Sequence, residues 1–169
     1  MKLRYIVLLM GLMLVIAAVL ALQPRAGAAG TTNKPIDFTL LAMTGKKVTL
    51  SSYRGKIVVL DIWATWCGYC VKEIPGIVQL QQEAIAKKQP VQLIGISVDQ
   101  EQDAVNQYAK QAHFNYPVVF AQEKVMKLFG DLPGIPVKFI VDKNGVIVER
   151  LDGAMEKADL QKHIAKYLK

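Results

Sequence analysis

Two long apolar runs rich in β-branched residues, each followed by a helical pattern, and two closing runs joined by Asn144-Gly145 predict a mixed α/β domain. Strands that alternate with helices and end in a hairpin give a sheet covered on both sides, a three-layer α/β/α architecture.

The elements follow in order. "FTLLAMTGKKVTL" alternates apolar and polar residues about Thr44-Gly45, which predicts a hairpin over Phe38–Leu50. "KIVVLDIWA" is nearly continuous in apolar residues, the pattern of a strand buried on both faces. A helical pattern runs from Tyr69 to Lys87, with Pro75 inside it removing one backbone donor and predicting a kink. "VQLIGISVD" is a second buried strand, and "QEQDAVNQYAKQA" a helix that ends before a short strand in "HFNYPVVF". "QEKVMKLFG" reads as a further helix stopped by Gly130. "VKFIVDKNGVIVERLDG" holds two strands around the strongest hairpin signal in the chain, and Lys157–Leu168 is the terminal helix.

With 169 residues and 52% hydrophobic content, the chain suits one ordinary domain. Its net charge of +7 falls to +4 once Lys2, Arg4 and Arg25 are set aside, and the basic residues lie scattered among acids. That is too mild to suggest a nucleic-acid partner and fits a solvated surface. Lys2 and Arg4 precede an uncharged run of 17 residues, Ile6–Leu22, the pattern of an export signal. Its length lies between a cleavable signal and a membrane span, and the reading favours an anchor at residues 1–24, with secretion after cleavage near "AGA" (26–28) as the alternative. Residues 25–34 are small and polar and read as a linker, leaving 35–169 as the folded domain on the extracytoplasmic side.

The chain has two cysteines, Cys67 and Cys70, spaced as CxxC. Structural zinc needs four ligands, and His113 and His163 stand far off without ligand spacing, so they read as ordinary helix residues and no metal is expected. A stapling disulfide across two residues removes little unfolded-state entropy. Redox chemistry does require this arrangement. Cys67, just before a helix, meets the positive end of the helix dipole and free N–H groups, which favours its thiolate. Cys70, one turn inside, is shielded and within reach to attack a mixed disulfide and release the substrate. No cofactor is needed.

"VVLDIWATWCGYCVKEIP" resembles the thioredoxin superfamily, and the chain from Pro35 to Lys169 resembles its TlpA/ResA-type, AhpC/TSA-like membrane-tethered branch. Trp66 before the CxxC, Pro75 after it, "GIPVKFIVD", the N-terminal hairpin and the central insertion carry the likeness. The resemblance implies a thioredoxin fold, a cis peptide before Pro136, and an Ile135 backbone that pairs with the substrate chain. Val137 departs from the Thr often found after that proline.

Two acids stand close to the motif in sequence. Asp61, in an apolar strand, matches the buried acid of thioredoxins; a buried carboxylate has a raised pKa, which suits a proton acceptor for Cys70. Glu73, one helical turn after Cys70, faces the same pocket, where the ResA-type branch has an active-site acid. Trp66 offers a flat apolar platform to a substrate, and Gly68, Tyr69, Ile135 and Pro136 complete the substrate-contacting set. The implied function is thiol-disulfide oxidoreduction that reduces exported proteins, with apocytochrome c as the leading substrate and a membrane thiol-disulfide protein as electron donor. A disulfide oxidant or isomerase, a thiol peroxidase and a Cu(I)-binding chaperone stay open as rivals.

Overall fold

The computed structural model describes residues 31–169, so the apolar run and most of the linker lie outside the described residues. Among the described residues no helix is long and apolar enough to cross a membrane.

The chain opens with a small antiparallel hairpin, β1 (Thr39–Leu41) and β2 (Lys47–Thr49), registered as Thr39 opposite Thr49. A 3-10 turn over Leu50–Tyr53 leads into β3 (Ile57–Trp63), in which every residue is buried. Helix α1 (Gly68–Ala86) follows without interruption through Pro75. Next come β4 (Val91–Ser97), α2 (Gln102–Ala112) and β5 (Val118–Phe120). Helix α3 (Glu123–Met126) passes into a 3-10 turn that ends at Gly130, where φ is +69°. The chain closes with β6 (Val137–Val141), β7 (Ile147–Asp152) and α4 (Lys157–Ala165).

The main sheet has the order β5-β4-β3-β6-β7. β3 pairs parallel with β4, and β4 with β5; β6 and β7 run antiparallel to their neighbours. β3 is therefore central, with pairing on both sides, which is why its sequence is apolar at nearly every position. The β6–β7 turn tightens around Asp142, whose carboxylate accepts from the backbone N–H groups of Asn144 and Val146. Gly145 has φ +89°, and the Arg54 guanidinium occupies the space a side chain there would need. The Asn-Gly signal thus marks a real conformational need.

Two cores flank the sheet. One lies under α1, α2 and α4 and joins Ile57, Val59 and Trp63 of β3 to Ile74, Ile77 and Leu80 of α1. The other lies under the hairpin and α3 and holds Val58, Leu60 and Ile62 with Phe38, Leu40 and Phe129. Alternate residues of one strand serve opposite cores, as the pleat demands. The hairpin closes the β5 edge: Ala42 bridges to Val119, and the Met43 N–H donates to Val118 at 2.9 Å. His113 ends α2 in the left-handed region, and His163 in α4 pairs with Glu149 at 2.8 Å.

Candidate redox site

β3 ends at Trp63, and the next four residues turn the chain into α1. That turn is held from β4. Asp99 accepts from the Thr65 N–H at 3.0 Å, from the Thr65 hydroxyl at 2.6 Å and from the Ser97 hydroxyl at 2.8 Å. The clamp sits two residues before Cys67 and was not foreseen, because Asp99 gains its meaning only when β4 lies beside β3.

Cys67 is the N-cap of α1, and its sulfur accepts from the Cys70 N–H at 3.2 Å. One orphan donor of the first turn, the Cys70 N–H, thus points at this sulfur, the setting that stabilises a thiolate once the pair is reduced. The two cysteines are joined as a disulfide with Cα atoms 5.2 Å apart. Cys67 keeps 7% of its surface and Cys70 none, which makes Cys67 the sulfur that a partner can reach. Across from it the Ile135–Pro136 peptide is cis, and the Ile135 carbonyl oxygen lies 3.7 Å from the Cys67 sulfur.

The rim around this sulfur is apolar and open. Trp66 is 70% exposed and Tyr69 73%, unlike the other aromatic rings of the helical face, which pack inward around Trp63. Gly68 stands between Cys67 and Tyr69 with open space at its Cα. A cleft of about 680 Å³ runs along α1 below Tyr69, with Glu73 and Met155 in its wall.

Beneath the disulfide the floor is charged. Asp61 on β3 faces the core that holds Cys70, and is 1% exposed. Directly opposite it in the antiparallel register stands Lys138 of β6, fully buried. The Lys138 ammonium forms an ion pair with Glu73, donates to the Gly153 carbonyl at 3.1 Å and lies 4.0 Å from Asp61 Oδ1. Glu73 also accepts from the Met155 N–H at 2.9 Å. Burial pushes the Asp61 carboxyl up to about 7, with Lys138 opposing and Glu73 adding to the rise. Burial also raises Glu73, against the pull of Lys138 and its hydrogen bonds.

The structure thus brings Asp61, Glu73, Cys67, Cys70, Ile135 and Pro136 to one end of the sheet, with Trp66, Gly68 and Tyr69 around the rim. Sequence reasoning missed Lys138. Its signal was present: an isolated cation inside "VKFIV", as out of place in a buried strand as Asp61 is in "KIVVLDIWA". Among the described residues no group of three or more His, Cys, Asp or Glu is placed to hold a metal ion.

The AhpC/TSA family pattern matches residues 31–150. The thiol-disulfide oxidoreductase ResA of Geobacillus kaustophilus (strain HTA426) is 34% identical over 143 residues, 84% of this chain and 79% of that protein. ResA of Bacillus subtilis (strain 168) is 30% identical over 122 residues, 72% of this chain and 67% of that protein. A thiol:disulfide interchange protein of the thioredoxin family from Chlorobium tepidum TLS superposes with a TM-score of 0.75 at 29% identity, covering 84% of this chain and 99% of that one. StoA from Bacillus subtilis, at 22% identity and a TM-score of 0.66, shares the fold. A thioredoxin fold, a CxxC pair at a helix start and these relatives together make the protein a thiol-disulfide oxidoreductase, and the chain belongs to the AhpC/TSA family.

Proposed function

We propose that the protein is a membrane-tethered, extracytoplasmic reductant of disulfides in exported proteins. The observation that carries the reading is the Cys67 sulfur at the N-cap of α1, open to a partner on one side and backed by buried Cys70 on the other. The apolar run Ile6–Leu22 supports the location, with residues 1–24 as anchor, 25–34 as linker and 35–169 as the working domain.

In this reading Cys67 attacks the substrate disulfide and Cys70 resolves the mixed disulfide. Asp61 takes the Cys70 proton, and Glu73 shapes the charge around it. A substrate strand lies along Ile135 and Pro136, its side chains on Trp66, Gly68 and Tyr69. An apocytochrome c whose haem-binding thiols have oxidised is a fitting substrate, since its disulfide is accessible in an unfolded segment. A membrane thiol-disulfide protein returns the electrons.

The test is the midpoint potential of the Cys67–Cys70 couple in the full chain, equilibrated in thiol redox buffers and read by alkylation. A value near roughly −270 mV supports the reductant. A value near roughly −120 mV identifies an oxidant and removes the apocytochrome substrate.

A further inference from the structure

The buried floor holds one ammonium and two carboxylates. With all three ionised it would carry an uncompensated negative charge away from water, a costly state that a single shared proton relieves. Geometry decides which carboxylate carries that proton. Glu73 has the Lys138 ion pair and the Met155 N–H, whereas no described residue donates a hydrogen bond to either oxygen of Asp61. The other titratable groups on this space are few. Tyr116 approaches from the segment before β5 and stays protonated, because burial drives its hydroxyl well above the usual phenol range. α1 contributes Glu73 and the cysteine pair, and β4 presents Gly95 opposite Asp61, with no charge.

We propose that Lys138 is a positioning residue for disulfide exchange: by holding Glu73 in an ion pair, it leaves Asp61 as the carboxyl that exchanges a proton with Cys70. The inference rests on Asp61 as the proton acceptor of the function proposed above. In the resolving step Asp61 first releases the shared proton to water, and the Cys70 thiol then gives its proton to the Asp61 carboxylate. The Cys70 thiolate then attacks the Cys67 sulfur of the mixed disulfide. The Cys67–Cys70 bond forms, the bond from Cys67 to the substrate breaks, and the substrate thiolate takes a proton from water. The enzyme dithiol has lost two electrons and the substrate disulfide has gained them. Lys138, 4.0 Å from Asp61, keeps that carboxylate accessible near neutral pH, while Glu73 keeps Lys138 from locking it permanently in the ionised form.

Removing either partner of the ion pair must then move the proton acceptor in opposite directions. The measurement is the rate of the Cys70 attack, read as release of the second thionitrobenzoate after the reduced full chain reacts with its aromatic disulfide, across about pH 5 to 9. For Lys138→Met the acid limb of the profile moves to higher pH by about one unit, a roughly tenfold slower step at fixed pH on that limb. For Glu73→Gln the lysine turns to Asp61, and the limb moves to lower pH by a similar amount. Limbs that stay at the wild-type position, or that move the same way in both variants, overturn the proposal. If Lys138→Met does not fold, Glu73→Gln decides alone: an acid shift supports the proposal, and no shift or an alkaline one overturns it. Asp61→Asn separates the two layers. Loss of the limb in that variant with no movement in the other two removes only the role of Lys138, whereas a limb that survives Asp61→Asn removes Asp61 as acceptor and Lys138 with it.

Discussion

The two faces of the central strand pair β3–β6 are equally buried and differently made. Toward the hairpin and α3 they present Val58, Leu60, Ile62, Val137, Phe139 and Val141, all apolar. Toward α1 the same strands present Asp61 and Lys138, side by side in the register, among Val59, Trp63 and Ile140. Both faces lie under a full layer of structure, so burial alone does not select their composition. A buried ion pair is at best neutral for stability when compared with well-packed apolar residues of the same size. In the function proposed above, the charged face answers to the sulfur chemistry and the apolar face to folding.

The comparison breaks most visibly on the apolar face. Phe139 is fully buried and stacks on Phe129 with ring centroids 4.8 Å apart. Phe139→Ala removes that packing and leaves a cavity, a loss of about 3–5 kcal/mol. Chemical denaturation of the oxidised protein will show it as a lower midpoint, while the exchange rate of the folded fraction stays at the wild-type value. A large fall in that rate with folding intact would show that both faces serve the site.

On the charged face the signs reverse. Asp61 titrates near 7 when folded and near 3.8 when unfolded. A carboxyl with a raised folded value stabilises nothing above its unfolded value; the penalty is absent below about pH 4, grows from there to about pH 7, and is complete above. The rise bounds it at about 4 kcal/mol. Asp61→Asn is therefore more stable than the wild type at pH 8 and close to it at pH 4, by thermal melts at the two values. Its exchange is slower by roughly 10²-fold, the usual effect of losing a proton acceptor. A variant that loses stability at pH 8 would place Asp61 among the folding residues.

This contrast also explains what was legible in the sequence. β3, β4 and the β6–β7 hairpin were readable because period, β-branching and the Asn144-Gly145 turn are local properties. Cys67 and Cys70 were readable because their spacing and the helix that follows are local as well. Helix α3 was overextended: "QEKVMKLFG" forms four residues of α-helix before tightening into a 3-10 turn, since Phe129 must dip into the apolar core. α4 ends at Ala165, three residues before the expected stop at Leu168. Lys138 and Asp99 were missed because each acts through a strand neighbour, Asp61 at a sequence distance of 77 residues in one case and Thr65 at 34 in the other, and strand order is not a local property.

The smallest effect sharpens the comparison from outside either face. Trp66 is 70% exposed next to Cys67, itself 7% exposed, so its ring contributes little packing, and its truncation changes stability by no more than about 0.5 kcal/mol. If the ring is a platform for a peptide, Trp66→Ala must discriminate between substrates by size. Exchange with dithiothreitol, which reaches the Cys67 sulfur without touching the rim, keeps its rate. Exchange with a disulfide-bonded unfolded peptide slows about tenfold, equivalent to about 1.4 kcal/mol of lost contact. Equal slowing with both substrates would mean that Trp66 acts on the sulfur itself, through the turn that Asp99 clamps. No slowing with either would leave the rim without a role and shift substrate recognition to the backbone of Ile135 and Pro136.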